Sequence, residues 1–121
     1  MELTKSEREI MECLWDAVRP LSRVDLMEKE DKSWNSSSVH ILLNGLLHKG
    51  LIREAGFVRR SKTFARTFEP ALTREQYYAS LIFSYSHKPE VFALFRELLN
   101  RPEVTLEHKQ QLRDLLAASG R

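Results

Sequence analysis

The sequence has little cysteine, glycine or proline, and it contains no long hydrophobic run. A single cysteine, Cys13, excludes an internal disulfide bond and a metal site built from several thiolates. No apolar stretch approaches the roughly 20 residues that are needed to cross a bilayer. The charged beginning, MELTKSERE, is also unlike a signal peptide. These absences predict a cytoplasmic protein, and 121 residues suffice for one compact domain or for one small domain with an appendage.

Net charge is low, but it is unevenly distributed along the chain. The formal net charge is +2 at pH 7. Residues 1–31 hold 5 basic and 9 acidic side chains, a net charge of −4, whereas residues 32–67 hold 7 and 1, a net charge of +6. A basic segment of this kind is typical of a surface that faces phosphate groups. Charge alone leaves open the alternative of a solvated loop with mixed lysines.

Hydrophobic periodicity predicts two helices before residue 30. The letters TKSE indicate a capping box, in which Thr4 and Glu7 bind each other's backbone. The apolar spacing then predicts an amphipathic helix from about residue 5 to residue 18, which Pro20 ends. A second helix of about two turns begins after Ser22, with Asp25 three residues further along.

The stretch SWNSSSVHILLNGLLHKG, residues 33–50, predicts a third amphipathic helix. Its valine and leucines recur at intervals of three and four residues and form one apolar side. Ser33, Asn35 and Ser36 are candidate caps at its beginning. We expect the helix to end at Lys49 and Gly50 to follow it in the left-handed backbone conformation. Three short helices in a row are typical of a helix-turn-helix.

A change of period after the third helix predicts a β-hairpin. The segments LIREAGFVRR and TFARTFEP alternate and are rich in aromatic and branched residues, and Arg60, Ser61 and Lys62 between them indicate the tip. Three helices followed by a hairpin are the order of a winged helix. The hairpin is also the most basic element of the chain, with Arg53, Arg59, Arg60, Lys62 and Arg66.

The remaining sequence predicts a helical region. Helices opened by Thr73 and by Thr105, and another in VFALFRELL, each carry an apolar stripe. Because so short a region buries too little surface for a generous core, we expect the stripes to meet a second copy of the chain; the alternative is that they fold back onto the first helix. The candidate dimerisation residues are Tyr77, Leu81, Ile82, Phe92, Phe95, Leu98, Leu99, Leu112, Leu115 and Leu116.

The predicted fold is therefore mainly α with a small β-hairpin (α+β). A winged helix-turn-helix domain at 1–72 precedes a helical dimerisation region at 73–121. In a helix-turn-helix, the second helix of the pair, here predicted at 36–49, enters the major groove of DNA with a short polar outer face. Asn44 could pair there with adenine and Ile41 could meet a thymine methyl group, while the hairpin cations would hold phosphate. The candidate residues for binding double-stranded DNA are Ser36, Ser37, Ser38, His40, Ile41, Asn44, His48, Arg59, Arg60 and Lys62.

Catalysis and metal binding are poorly supported by the sequence. The serines at 36–38 and His40 are close in sequence, but a nucleophile needs a base and an orienting acid that converge in space. His40 and His48 lie about 12 Å apart along a helix, too far to bind one ion together. We predict no enzyme, cofactor or metal; a metal site that joins one of these histidines to His87 or His108 is the alternative.

Four segments carry a resemblance to a known family. They are LTKSEREIMECLW, SWNSSSVHILLNGLLHKGLI, the strand end FEP and the helix start TREQYY. In this order and spacing, over nearly the whole chain, they resemble the penicillinase repressor family, which includes copper-responsive repressors. The resemblance implies a dimeric winged-helix transcriptional repressor that binds a palindromic operator and dimerises through its carboxy-terminal helices.

The chain departs from the family's pattern in the third helix and in two regulatory features. Many relatives have threonine at the positions of Ser38 and Ile41 and arginine at that of Gly45, so the resemblance implies an unusual operator sequence. The paired carboxy-terminal cysteines of copper-responsive members are missing. The Asn-Phe pair of members released by proteolysis is also missing, and Glu97 and Leu98 in FRELLN are its nearest counterpart. A protease or other sensor for derepression is therefore not identified.

Two alternatives to a repressor of this family stay open. A winged-helix protein-interaction module that has lost specific DNA binding would use Ile41, exposed beside Gly45, in an apolar patch. The basic hairpin argues against this module, because DNA requires that charge and a protein partner does not. Another class of winged-helix regulator would have extended helices beyond the hairpin, for which the chain has little room.

Overall fold

The computed structural model describes residues 3–29, 32, 34–85 and 87–119, and this part of the chain contains six α-helices and three strands. In chain order they are α1 (Lys5–Asp16), β1 (Leu21–Ser22), α2 (Arg23–Met27), α3 (Val39–His48), β2 (Ile52–Arg60), β3 (Thr63–Pro70), α4 (Arg74–Ser84), α5 (Val91–Leu99) and α6 (Leu106–Ser119). This arrangement confirms the predicted α+β class. Within the described residues, no helix has the length and apolar character needed to cross a bilayer.

The sheet has one strand more than the predicted hairpin. Its strand order is β1-β3-β2, and both pairings are antiparallel. Strand β1 contains only two residues, of which Leu21 pairs with Phe68 of β3. So short a strand has no alternation of its own, which is why hydrophobic periodicity could not predict it.

The wing is the hairpin of β2 and β3, with Ser61 and Lys62 at its tip. Ser61 has a φ of +55°, a left-handed conformation that few residues other than glycine adopt. Nearer the base, the pairing register shifts between Glu54 and Gly56, and Gly56 has a φ of +145°. The shift is a β-bulge, which bends one strand and increases its local twist.

Reciprocal capping begins the first two helices, as the sequence predicts. Thr4 Oγ1 accepts a hydrogen bond from the backbone N–H of Glu7, and Glu7 Oε1 accepts one from the N–H of Thr4. Ser22 and Asp25 form the same pair at α2. The capping box predicted for α1 is confirmed, and the predicted start of α2 after Ser22 is confirmed by the same motif.

The end of α1 differs from the prediction by two residues. The helix ends at Asp16, because Ala17 already has an extended backbone. Pro20 has no N–H with which to donate a helical hydrogen bond to the carbonyl oxygen of Asp16. Val18, at the predicted end of the helix, is consequently fully exposed.

The serines before α3 form a separate turn. Ser36–Ser38 is a single 3₁₀ turn. The helix α3 therefore begins three residues after the start predicted for the helix that enters the major groove. Asn35 is the cap of this turn, because its Oδ1 accepts a hydrogen bond from the backbone N–H of Ser37 at 3.3 Å. Of the other predicted caps, Ser33 and the side chain of Ser36 lie outside the described part of the chain.

Gly50 ends α3 in the predicted left-handed conformation, with a φ of +75°. Its N–H donates to the carbonyl oxygen of Leu47, and the N–H of Leu51 donates to that of Leu46, each at 3.0 Å. These two bonds are a Schellman motif, which satisfies carbonyl groups at the end of a helix.

One hydrophobic core joins α1, α2, α3 and the sheet. Its most deeply buried apolar side chains are Ile10, Met11, Leu26, Val39 and Leu46. At its edge, the indole Nε1–H of Trp15 donates to the carbonyl oxygen of Leu72 at 3.0 Å, and the ring lies 5.7 Å from that of Tyr77. Because Tyr77 is itself buried, the beginning of α4 belongs to this core.

The contacts divide the chain into two compact units, of which the first ends at Leu81 and the second begins at Ile82. This division lies within α4, later than the functional boundary expected after residue 72. The difference follows from the burial of Tyr77 and the packing of Leu81 against the core. In the second unit, neither α5 nor α6 contains a buried residue.

Candidate nucleic-acid interface

One side of α3 is anchored in the core and the opposite side is exposed. The buried side chains of this helix are Val39, Leu43 and Leu46. The exposed ones are Ile41, Asn44, His40 and His48, all of which are predicted DNA-binding residues. Ile41 is 62% exposed although it is apolar. The core thus holds α3 by one face and leaves a mixed polar and apolar face for a ligand.

The predicted DNA-binding serines differ in their surroundings. Ser37 is exposed, whereas Ser38 is half-buried and makes no capping hydrogen bond with its side chain. The backbone N–H of Ser38 donates to the carbonyl oxygen of Asn35 at 2.8 Å. The hydroxyl of Ser37 is therefore the better placed of the two to meet a ligand.

A groove of about 380 Å³ separates α3 from the wing. Its polar and charged lining residues are Arg23, His40, Asn44, Arg60, Thr63 and Arg66. No carboxylate belongs to the described lining, so the groove combines three arginines with neutral or weakly basic groups. Such a concave surface attracts anions.

Arg60 connects the wing to α2. Its Nη2 donates to Asp25 Oδ1 at 2.7 Å and to Ser22 Oγ at 3.2 Å. Burial opposes ionisation of Asp25, but hydrogen bonds from Ser22 and Arg19 outweigh it and hold the pKa of this carboxyl below its ordinary value. The ionised carboxylate is therefore a constant partner of Arg60 at neutral pH.

The other wing cations fall into two groups. The pairs Arg53 with Glu69 and Arg66 with Glu54 are ion pairs at 2.7 Å. Arg59 and Lys62 have no carboxylate within ion-pair distance among the described residues. Both side chains are exposed. Of the three predicted phosphate contacts of the wing, Arg59 and Lys62 are therefore available, whereas Arg60 already has a partner.

Gly45 faces α1 and not the groove. A Cβ at this position would lie 3.4 Å from Glu7 Oε2, and Glu7 Oε1 accepts a hydrogen bond from Lys49 Nζ at 2.7 Å. Burial opposes ionisation of Glu7, but the hydrogen bonds from Lys49 and Thr4 outweigh it and lower the pKa of the carboxyl. A side chain at position 45 would thus begin beside a carboxylate that anchors the end of α3 to the start of α1.

Two of the predicted dimerisation residues pack within the first unit. Tyr77 is 3% exposed, and Leu81 is partly buried against the same core. Arg74 secures this segment, because its Nη2 donates to Glu12 Oε1 at 2.6 Å and to Asp16 Oδ1 at 2.7 Å. This packing corresponds to the alternative in which the segment folds back onto the first helix.

The second unit leaves large apolar side chains exposed. Those among the predicted dimerisation residues are Phe92 (71%), Phe95 (53%), Leu98 (43%), Leu115 (61%) and Leu116 (69%). Ile82, Leu99 and Leu112 are half-buried. Large apolar side chains exposed in this number are typical of an interface with another protein chain.

Arg23 is a candidate that sequence reasoning missed. It occupies the first position of α2, is exposed, and lines the groove opposite the wing. Its position after Ser22 was visible in the sequence. However, only the packing of α2 beside α3 brings this arginine to the groove.

Metal binding and thiol chemistry find little support in the described residues. No three His, Cys, Asp or Glu side chains in this part of the chain are placed to hold a metal ion. Cys13 is half-buried on α1, and burial raises the pKa of its thiol. A thiol that stays protonated is a weak nucleophile.

Comparison with known proteins identifies a match over nearly the whole chain. A family model described as Penicillinase repressor matches residues 3–118. No curated protein matches the chain significantly.

Proposed function

The chain belongs to the penicillinase repressor family, whose members are transcriptional regulators and not enzymes, and we propose that it represses transcription as a homodimer on a palindromic operator. Membership confirms the resemblance found in the sequence and the prediction that the chain is not an enzyme. In this proposal α3 lies in the major groove, and the wing holds the DNA backbone beside it.

The observation that carries the proposal is the groove between α3 and the wing, whose described lining contains three arginines and no carboxylate. A phosphate backbone that follows this groove would pass Arg23, which has no carboxylate partner among the described residues. Arg59 and Lys62 add cations on the wing that have no carboxylate partner among the described residues. Each phosphate neutralised by such a cation releases a counterion, which supplies affinity that does not depend on base sequence.

The exposed face of α3 supports base reading beside that groove. Asn44 offers an amide that can bind adenine with two hydrogen bonds, and Ile41 offers an apolar contact to a thymine methyl group. Ser37, at the turn before the helix, offers a hydroxyl that can donate or accept. These side chains are short, so the helix backbone can approach the base edges closely.

The second unit supports the homodimer. Phe92 and Leu116 are each about 70% exposed, and no residue of α5 or α6 is buried. A second copy of the same unit is the occupant we propose for this apolar surface. Two-fold symmetry of the dimer would then present two copies of α3 to two inverted half-sites of DNA.

Selection of duplexes from a random pool by the full-length protein tests this function. We expect an enriched site with two inverted half-sites whose centres lie one or more helical turns apart, about 10 base pairs per turn. On the selected duplex, the logarithm of the affinity should fall linearly with the logarithm of the salt concentration. No enrichment together with a flat salt response would contradict the proposal.

Three variants separate the roles of the wing and of α3. Arg59→Ala and Lys62→Ala should each weaken binding on all sequences and reduce the salt slope by about 0.9. Asn44→Ala should instead relax the preference at one base position. Lys88→Ala, which removes an exposed cation outside the first unit, is the matched control and should change neither quantity. If affinity purification recovers one other protein in stoichiometric amount and no DNA, a protein-interaction module is favoured instead.

A further inference from the structure

The beginning of α4 is bound to α1 by a dense set of polar contacts. Arg74 Nη2 donates to Glu12 Oε1 at 2.6 Å and to Asp16 Oδ1 at 2.7 Å, and Arg74 Nε donates to Glu12 Oε1 at 3.0 Å. The hydroxyl of Tyr78 donates to the other carboxylate oxygen of Glu12 at 3.1 Å. We call this set the α1–α4 clasp (Glu12, Asp16, Arg74 and Tyr78). The function proposed above makes no use of it.

The clasp determines both the rotation of α4 and its position along α1. Glu12 and Asp16 are four residues apart in the sequence, and so are Arg74 and Tyr78. Residues four apart lie one turn apart on the same face of a helix. Each helix is therefore held at two points, whereas a single ion pair would let α4 pivot about one point. The planar guanidinium of Arg74 restricts the geometry further, because its N–H groups point in fixed directions.

Trp15 of α1 supports the clasp with its indole ring. The guanidinium carbon of Arg74 lies 5.4 Å from the centroid of this ring, within the range of a cation–π contact. The ring centroids of Tyr77 and Tyr78 lie 5.7 Å and 6.3 Å from it. The indole Nε1–H also holds the carbonyl oxygen of Leu72, just before α4. One side chain of α1 thus contacts the chain immediately before α4 and within its first turns, so the helix begins at a fixed place.

The clasp contributes to orientation more than to stability. The side chain of Asp16 is 72% exposed, and those of Glu12 and Arg74 are each about one third exposed. Ion pairs at positions this accessible to water add little to the free energy of folding. Buried side chains such as Ile10 and Leu14 already hold α1 in the core. A requirement for one direction of α4 explains a contact set that is so specific and yet stabilises so little.

The direction of α4 matters because this helix continues beyond the first unit. It ends at Ser84, and the residues from Ile82 onward belong to the second unit. At 1.5 Å per residue, its 11 residues span about 16 Å. A rotation of about 12° at its beginning would move its far end by about 3 Å, which is close to the rise of one base pair of DNA. A small movement at the clasp therefore corresponds to a whole step along the duplex.

We propose that Arg74 and Tyr78 are positioning residues that set the spacing between the two half-sites of the operator. The proposal rests on the homodimer and the operator proposed above, and neither side chain touches DNA in it. The clasp holds α4 in one orientation on α1, so the two copies of α3 in a dimer stay at one separation. Half-sites one base pair closer together or farther apart then fit the dimer less well. Without the clasp, α4 pivots and the dimer accepts several spacings.

A double variant, Arg74→Ala with Tyr78→Phe, removes the polar contacts of the clasp and keeps the aromatic ring at position 78. Its affinity is measured on duplexes that carry the selected half-sites with the spacer unchanged, one base pair shorter or one base pair longer, and on a duplex with a single half-site. We expect the wild type to prefer the unchanged spacer by about tenfold or more, and the double variant by less than about threefold. Affinity for the single half-site should stay the same, because no group that touches DNA is lost.

Arg101→Ala is the matched control, because it also removes an arginine from an ion pair. Arg101 pairs with Glu103 at 2.9 Å, and both side chains are more than half exposed. This pair joins residues two positions apart and therefore cannot orient one helix on another. The control should keep the spacer preference of the wild type. Sedimentation velocity and circular dichroism should show that both variants stay dimeric and folded.

The results that would overturn the inference are distinguishable from one another. A double variant with the spacer preference of the wild type would show that the clasp does not set the spacing. An equal loss of affinity on every duplex, the single half-site included, would mean that the clasp acts through folding of the first unit, and a monomeric double variant would assign it to assembly. Equal binding of all spacers by the wild type would overturn the inference alone, whereas failure of the wild type to bind any duplex would overturn the proposed function as well.

Discussion

Gly45 on α3 lies against Glu7 on α1, with only van der Waals space for a Cβ 3.4 Å from the carboxylate oxygen. Many relatives have arginine at this position, and from that difference the resemblance implies an unusual operator sequence. In this chain the position instead adjoins the carboxylate that binds Lys49 at 2.7 Å and caps α1 through Thr4. An arginine here would begin next to the buried carboxylate of Glu7. The glycine at this position is therefore weaker evidence for an unusual operator sequence than the resemblance implies.

The first prediction concerns the stability of α3. Gly45 has an ordinary helical backbone and room for a methyl group, so Gly45→Ala should raise the free energy of unfolding by about 0.5–1 kcal/mol. Urea denaturation measures this difference. Gly50→Ala is the control, because a φ of +75° is strained for alanine and the same substitution should destabilise the protein there. A loss of stability in Gly45→Ala would contradict the placement of this residue.

The second prediction separates two neighbouring arginines of the wing. Arg60→Ala should lower the free energy of unfolding by about 1 kcal/mol, because it leaves the largely buried carboxylate of Asp25 without one of its cations. Arg59→Ala, at an exposed position without a carboxylate partner in the described residues, should change stability by less than about 0.5 kcal/mol. Equal effects in urea denaturation would show that the ion pair to α2 does not hold the wing.

The third prediction is a dependence of stability on pH. The folded protein lowers the pKa of Glu7 below its ordinary value of 4.5. The contribution of Glu7 is therefore fully present above about that pH and is lost as the pH falls through the lowered pKa. The wild type should exceed Glu7→Gln in free energy of unfolding at pH 7, and the difference should shrink below pH 4.5. A difference that does not change with pH would rule out this ionised network.

The fourth prediction concerns assembly. Phe92→Ser with Phe95→Ser should weaken self-association by about a hundredfold or more, because each phenylalanine loses the benefit of burial. Sedimentation velocity over a range of concentrations measures this change. Val18→Ser, which alters a fully exposed apolar residue of the first unit, should leave association unchanged. A double variant that still sediments as the wild type does would exclude this face from the interface.

Features encoded by neighbouring residues could be predicted from the sequence. Thr4 with Glu7, and Ser22 with Asp25, form the expected capping boxes, and Gly50 stops α3 as expected. Each depends on a few neighbouring residues whose side chains favour one local conformation. The order of helices and hairpin follows from hydrophobic period in the same way.

Features that depend on distant contacts could not be predicted. The ion pair between Arg60 and Asp25 joins residues 35 positions apart, and nothing in the local pattern distinguishes Arg60 from Arg59. Whether Gly45 faces α1 or the groove depends on how α3 packs against α1. Tyr77 was assigned to a dimer face because its spacing is helical, but the packing of Trp15 beneath it was invisible in the sequence.

The hydrogen bonds from Arg60 of the wing to α2 also affect how readily α2 unfolds locally. A helix of only five residues has no independent stability in water, so its amide hydrogens are protected from solvent only while its neighbours hold it. Arg60 donates hydrogen bonds to both residues of the capping box of α2, Ser22 and Asp25. Hydrogen exchange in α2 should therefore proceed in step with detachment of the wing and slow when DNA holds the wing in place, which makes the shortest helix of the domain a reporter of DNA binding at the wing.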